Sequence, residues 1–206
     1  MDNKNFTFKI HSFIFNKEIE RKKFNILEFG VREGRSTKMF LDMIEKKNGR
    51  LISVDVDDYS HLFSNKNWKF IKTRDDNINL ISNHFDQNFN IILIDSLHEP
   101  AHVINLINMY WKFLEINGSL YVDDISWIPY SKGNWRDHEF TENINFNTFE
   151  SILNLLNSNI DKFILECNFQ GSGMARLTKL SNENLSKPKK IITRNNLIKK
   201  FIKKIK

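Results

Sequence analysis

The clearest chemistry in this chain is carried by Asp95, His98, Asp123 and Asp124. Asp95 closes the apolar run Asn90-Ile91-Ile92-Leu93-Ile94, and the Asp123-Asp124 pair closes Gly118-Ser119-Leu120-Tyr121-Val122. Acids so placed stand at the carboxyl ends of strands, the edge where doubly wound α/β sheets bind ligands. Oxygen donors with no cysteine among them suit a hard cation such as Mg²⁺ or Mn²⁺, which keeps open positions for substrate and water. His98 lies three residues past Asp95. An imidazole of near-neutral pKa can take the proton that a hydroxyl loses when it reacts.

A second group of residues lies between Asn25 and Asp57. Asn25-Ile26-Leu27-Glu28-Phe29 reads as a buried parallel strand. Gly30 and Gly34 bracket a tight turn, and Ser36 and Thr37 place hydroxyls at the start of a helix. The next strand, Arg50 to Val56, ends among Asp55 and Asp57. An acid at the tip of the second strand is where such a fold holds the hydroxyls of a ribose, so the pattern points to an adenosine-containing cofactor. The turn is G-x-x-x-G rather than the dinucleotide G-x-G-x-x-G, and no Gly-Lys-Ser/Thr of a phosphate loop follows it. Glu28 and Glu33 would repel a pyrophosphate and suit a cationic ligand.

The stretch Glu28-Phe29-Gly30-Val31-Arg32-Glu33-Gly34-Arg35-Ser36 resembles the first motif of class I S-adenosylmethionine-dependent methyltransferases. It is closest to the E-x-G-x-x-x-G-x-S form of the catechol O-methyltransferase-like and cephalosporin-hydroxylase-like or sugar O-methyltransferase groups. Trp68 to Asp76, Asn90 to His98 and Gly118 to Asp124 fall where that family has its third, fourth and fifth strands. The resemblance runs from about Phe24 to Leu180. It implies a Rossmann-like α/β fold: a seven-stranded, mostly parallel, doubly wound sheet closed by an antiparallel C-terminal strand pair. It implies S-adenosyl-L-methionine at Glu28, Gly30, Gly34, Ser36, Asp55 and Asp75. Glu28 would meet the amino group, Asp55 the ribose and Asp75 the adenine. By the same resemblance Asp95, Asp123 and Asp124 bind a divalent metal, and His98, with Asp95 beside it, is the catalytic base.

The expected activity is metal-assisted O-methyl transfer to a hydroxyl of a sugar or glycan precursor. The rivals are a catechol-type enzyme, which needs a flat apolar pocket, and a module that binds the cofactor without turnover. A nicotinamide oxidoreductase stands further off, because its glycine fingerprint is absent. His102 reads as a surface residue or a support for the site. Arg32 and Arg35 read as solvated arginines flanking the turn. Trp127, Tyr130, Trp135 and His138, in the irregular stretch 125–147, either wall a substrate pocket or pin a long loop.

These residues need βαβ units to position them. The pattern predicts strands at 24–29, 50–56, 68–72, 90–95 and 119–123, with helices at 36–47, 76–86 and 101–115. A helix near 146–157 and strands at 162–167 and 174–180 complete it. Residues 1–23 read as an irregular or helical lead-in, 24–180 as the domain, and 181–206 as a basic tail. At 206 residues with 40% hydrophobic content, one sizeable core is expected. The net charge of +6 comes from the end of the chain: residues 186–206 hold nine Lys or Arg and no acid, leaving 22 basic against 25 acidic residues elsewhere. A mildly acidic body argues against a nucleic-acid groove. In the tail Leu197, Ile198, Phe201, Ile202 and Ile205 form one apolar stripe opposite lysines. That pattern fits a helix on an anionic membrane, packing against the body or a partner copy in a homo-oligomer, or a disordered end. The single Cys167 fits a buried strand thiol in a reducing cytoplasm, and the first residues show no signal-peptide pattern.

Overall fold

The computed structural model describes residues 3–128 and 138–192, with residues 3–10 described by backbone alone. Strand β1 (Phe24–Phe29) is buried at every position, as a parallel strand covered on both faces must be. Beside it on one side run β2 (Gly49–Asp55) and β3 (Trp68–Lys72), and on the other β4 (Phe89–Ile94) and β5 (Leu114–Asp123), all parallel. Strand β7 (Met174–Lys179) enters antiparallel between β5 and the edge strand β6 (Phe163–Asn168). The order is β3-β2-β1-β4-β5-β7-β6. The sheet is the Rossmann-like, seven-stranded arrangement that the sequence implied. Its order reverses between β1 and β4, the switch point at which a crevice opens beyond the strand ends.

Successive strand residues feed opposite faces. Ile26, Leu51, Ile91, Leu93 and Tyr121 pack with Phe40 and Ile44 of helix α2 (Arg35–Lys47) and Ile14 of helix α1 (Asn3–Glu18). Leu27, Phe29, Ile52, Ile92 and Val122 pack with Val103, Leu106 and Ile107 of α4 (Pro100–Tyr110) and with Ile152 and Leu155 of α5 (Glu139–Asn157). The lead-in is thus a helix, and Glu18 at its end is fully buried. Glu18 accepts a 2.6 Å hydrogen bond from the Tyr121 hydroxyl and pairs with Arg21 and, at 3.3 Å, with Arg176. That network ties α1 to the β5–β7 edge.

Several element boundaries differ from the expectation. The helix expected at 76–86 is one short piece, α3 (Ile78–Ser82). The helix expected to run to Glu115 ends at Tyr110, followed by a 3₁₀ turn (Trp111–Phe113), and β5 already begins at Leu114. Buried Lys179 explains this stop: its Nζ donates to the carbonyls of Trp111 (2.9 Å) and Leu114 (2.6 Å), capping the helix where no glycine signals it. Asn117, at φ +62°, and Gly118 instead fall within β5, whose pairing with β4 shifts register there. Helix α5 begins seven residues earlier than its apolar pattern suggested. Among the described residues no helix is long and apolar enough to cross a membrane. Tyr130 and Trp135, with the rest of 129–137, and the tail stripe from Leu197 to Ile205 lie outside the described residues.

Candidate active site

The site grows from the turn after β1. Gly30 has φ +91°, and a Cβ there would stand 1.9 Å from the carbonyl oxygen of Asp95. Only glycine lets the end of β1 pass so close to the end of β4. Gly34, at φ +71°, caps α2 with its backbone and lines neither of the cavities at this crevice. Arg32 also takes a left-handed φ of +46°.

Beneath this turn lies Glu28, fully buried. Its Oε1 accepts from Ser36 Oγ (2.5 Å), and its Oε2 accepts from Thr37 Oγ1 (2.7 Å) and Ser53 Oγ (2.6 Å). Burial pushes its carboxyl up to about 7 despite those three donors. Glu28 lines neither cavity, although the sequence reading set it against the cofactor amino group. The carboxylate faces inward because the Ser36, Thr37 and Ser53 hydroxyls satisfy it, and it locks α2 and β2 to β1.

On the β2–β3 side of the turn is a cavity of about 300 Å³. Asp55 lines it as expected. Its Oδ2 accepts from the backbone N–H of Val31 (2.7 Å) and Arg32 (3.4 Å), and its Oδ1 from that of Asp57 (3.1 Å). Oδ1, which accepts a single bond, retains a lone pair for a ribose hydroxyl. Val56 and Leu97 are 57% and 47% exposed, and both line this cavity. Two exposed aliphatic side chains at one mouth suit the faces of a purine. Asp75 lies here too, but its carboxylate is engaged: Ser96 Oγ donates at 2.5 Å, and His102 Nε2 lies 3.0 Å from both oxygens. His102 is therefore no solvated surface residue, and it and Ser96 belong to the cavity. The alternation that buries α4 gave no sign of their partner, which comes from the loop after β3.

The cavity on the other side, about 320 Å³, shares Arg32 and Asp95 with the first. Here the structure brings together Ser36, Asp95, His98, Asp123 and Asp124. His98 Nε2 stands 3.6 Å from Asp95 Oδ1 and 3.4 Å from Asp124 Oδ2, while its buried Nδ1 has no hydrogen-bond partner among the described residues. Burial, then the Asp123 and Asp124 carboxylates, push the Asp95 carboxyl well above the usual range. Asp124 holds a strained φ of +57°, and Asp123 Oδ1 accepts from Ser172 Oγ (2.8 Å). Ser172 comes from the β6–β7 turn. His11, from α1, also lines the cavity, and burial and Arg35 lower its imidazole to about 4, leaving it neutral. Neither residue carried a sequence signal, because each reaches the site from a distant element.

The donor types of Asp95, Asp123 and Asp124 fit a hard divalent ion, but their spacing departs from the expectation. Among the described residues, the group whose ligand atoms all lie within 4.8 Å of one another is Asp75, Asp76 and His102. The three strand-end aspartates share a cavity without closing to that distance. Trp127 packs at 4.8 Å, 5.1 Å and 5.6 Å on the rings of Phe146, Phe149 and Phe169, and it lines neither cavity. His138 is exposed at the start of α5. Of the alternatives for these residues, Trp127 pins the chain to α5 and the hairpin.

Residues 27–125 match the family model described as a methyltransferase domain. No curated protein sequence matches the chain. Among solved structures, the MycE methyltransferase of the mycinamycin biosynthetic pathway, in complex with Mg, SAH and mycinamycin VI, superposes with a TM-score of 0.58 at 17% identity. The match covers 87% of this chain and 51% of that one, so this chain spans about half the length of MycE. The SAH-bound methyltransferase PaMTH1 of Podospora anserina gives a TM-score of 0.63 at 13% identity, covering 84% of this chain and 78% of that one. Residues 27–125 are thus similar to the methyltransferase-domain family, and the chain shares the fold of these solved methyltransferases.

Proposed function

We propose that this methyltransferase acts on a hydroxyl oxygen of a sugar or glycan precursor, with a divalent cation assisting. The observation that carries the reading is His98 standing between Asp95 and Asp124 in a cavity where, among the described lining residues, Val31 is the only aliphatic one. A catechol-type acceptor calls for a flat apolar slot, which these walls do not offer.

Asp55 would hold the ribose, Val56 and Leu97 the purine faces, and Asp95 the cationic end of S-adenosylmethionine, which supplies an electrophilic methyl. The acceptor hydroxyl gives its proton to His98 Nε2 as its oxygen bonds to the methyl carbon, while the carbon–sulfur bond breaks and its electron pair stays on sulfur, leaving neutral S-adenosylhomocysteine. Asp95 and Asp124 steady the imidazolium that results. Asp95, Asp123 and Asp124 would hold Mg²⁺ or Mn²⁺, whose charge would offset their mutual repulsion. The ion would lower the pKa of a bound hydroxyl. Intact acids and histidine count against a module without turnover.

Transfer of labelled methyl to a panel of sugars, with EDTA and with Mg²⁺ restored, tests the reading. Loss in EDTA and recovery with Mg²⁺ are expected; full activity in EDTA removes the metal, and labelling of catechols alone removes the sugar. The lysine-rich tail, Lys187 to Lys206, is proposed to hold the enzyme against anionic lipid. Cosedimentation with anionic vesicles, compared with a chain ending at Ser186, checks that separately.

A further inference from the structure

A groove of about 430 Å³ runs beside the reactive cavity, between α1 and the β6–β7 hairpin. Its walls are Ser12, Phe13, Asn16 and Lys17 from α1, and Asn168 and Gln170 from the hairpin. The two spaces are neighbours along both elements. His11 lines the reactive cavity and Ser12 the groove; Ser172 lines the cavity and Gln170 the groove. We propose that this groove is a second acceptor subsite, binding the neutral saccharide unit next to the one that is methylated. The assignment deepens the proposed function and rests on it.

The chemistry of the walls selects the ligand. The side-chain amides of Asn16, Asn168 and Gln170 each offer both donors and an acceptor, the match for hydroxyls that donate and accept. Phe13, held edge-on to Tyr121 at 6.2 Å, adds an apolar surface for the C–H face of a pyranose. The one cation lining the groove among the described residues is already matched: Lys17 Nζ lies 2.5 Å from Glu166, which also pairs with Arg176. Among the described residues no unmatched positive charge lines the groove, so they offer a phosphate no pairing cation. A planar phenol has a single hydroxyl to offer these three amides, whereas a saccharide has several. The volume lies within the range of small-molecule sites, roughly 300–1,000 Å³. Asn168 Oδ1 accepts from the Gln170 backbone N–H at 2.9 Å, holding the hairpin tip in shape.

The full chain with S-adenosylhomocysteine is titrated with maltotriose, chitotriose, ATP and phenol while the side-chain amide NMR signals of Asn16, Asn168 and Gln170 are followed. At least one neutral oligosaccharide should shift these signals saturably at millimolar concentration. Asn16→Ala and Gln170→Ala, on separate elements, should each weaken that binding about tenfold, the loss of one or two hydrogen bonds. Calorimetry should show S-adenosylhomocysteine affinity unchanged, which certifies that the variants are folded. No shift with either oligosaccharide, or a stronger shift with ATP or phenol, overturns the subsite. Saccharide binding at these amides without methyl transfer to any hydroxyl would overturn the proposed function and leave the subsite standing. Methyl transfer without amide shifts would do the reverse.

Discussion

The two cavities flanking the Gly30 turn handle acidic groups in opposite ways. On the β2–β3 side, Asp55 accepts from three backbone N–H groups and Asp75 is held by Ser96 and His102. On the other side, Asp95 faces Asp123 and Asp124, and burial first, then those carboxylates, push its carboxyl upward. The first side has its carboxylates satisfied in advance and presents a finished shape. The second holds negative charge in excess of what its neighbours neutralise. A preorganised surface suits a ligand part that must only be positioned, whereas an electrostatically expectant one suits the part where cationic charge arrives or moves. Under the proposed function, recognition belongs to one side of the turn and reaction to the other.

The comparison breaks most readily at His98. His98→Ala should lower kcat by about 10²–10⁴-fold while leaving S-adenosylhomocysteine affinity nearly unchanged, measured by labelled transfer and calorimetry. A matching fall in affinity would mean that the reactive side also does the recognition. The converse is Asp55→Ala, which removes an acceptor from the quiet side. It should weaken S-adenosylhomocysteine by about 10- to 100-fold, the value of a hydrogen bond to a charged group.

Glu28, under the turn, sharpens the picture through pH. Its folded carboxyl sits at about 7 against 4.5 in the reference state, so the folded chain binds the extra proton between those values. The stability this gives is complete below pH 4.5 and is lost as pH rises through 7. Relative to Glu28→Gln, the natural chain should lose about 3 kcal/mol between pH 4.5 and 8, read by urea unfolding. A flat difference would mean that the hydroxyl cage stabilises the charged form. The smallest effect is expected at Ser96→Ala. It leaves His102 holding Asp75 and should cost cofactor binding only about threefold to tenfold by calorimetry.

How far the sequence reached follows the same division. The strand ends and their acids were legible because parallel buried strands are apolar runs and an acid at their close stands out; Asp55, Asp95, Asp123 and Asp124 all lie where that reasoning put them. Glu28 was legible as part of a motif but not in its direction, since the hydroxyl of Ser53 that helps turn it inward comes from β2, 25 residues away. His11, Ser172 and the Ser96–Asp75–His102 set went unseen for the same reason: each depends on elements meeting in space. The end of α4 was misplaced because its cap, Lys179, lies 65 residues beyond Leu114 in the chain.

That lysine has one further consequence. Its amine is sealed beneath the 3₁₀ turn by two carbonyls, and burial lowers its pKa, so acylating reagents that label surface lysines within seconds have no path to it. It becomes available only when β7 leaves the sheet or the end of α4 unwinds. The rate at which Lys179 acquires a label is therefore a clock for these two openings, built into the chain without an added probe.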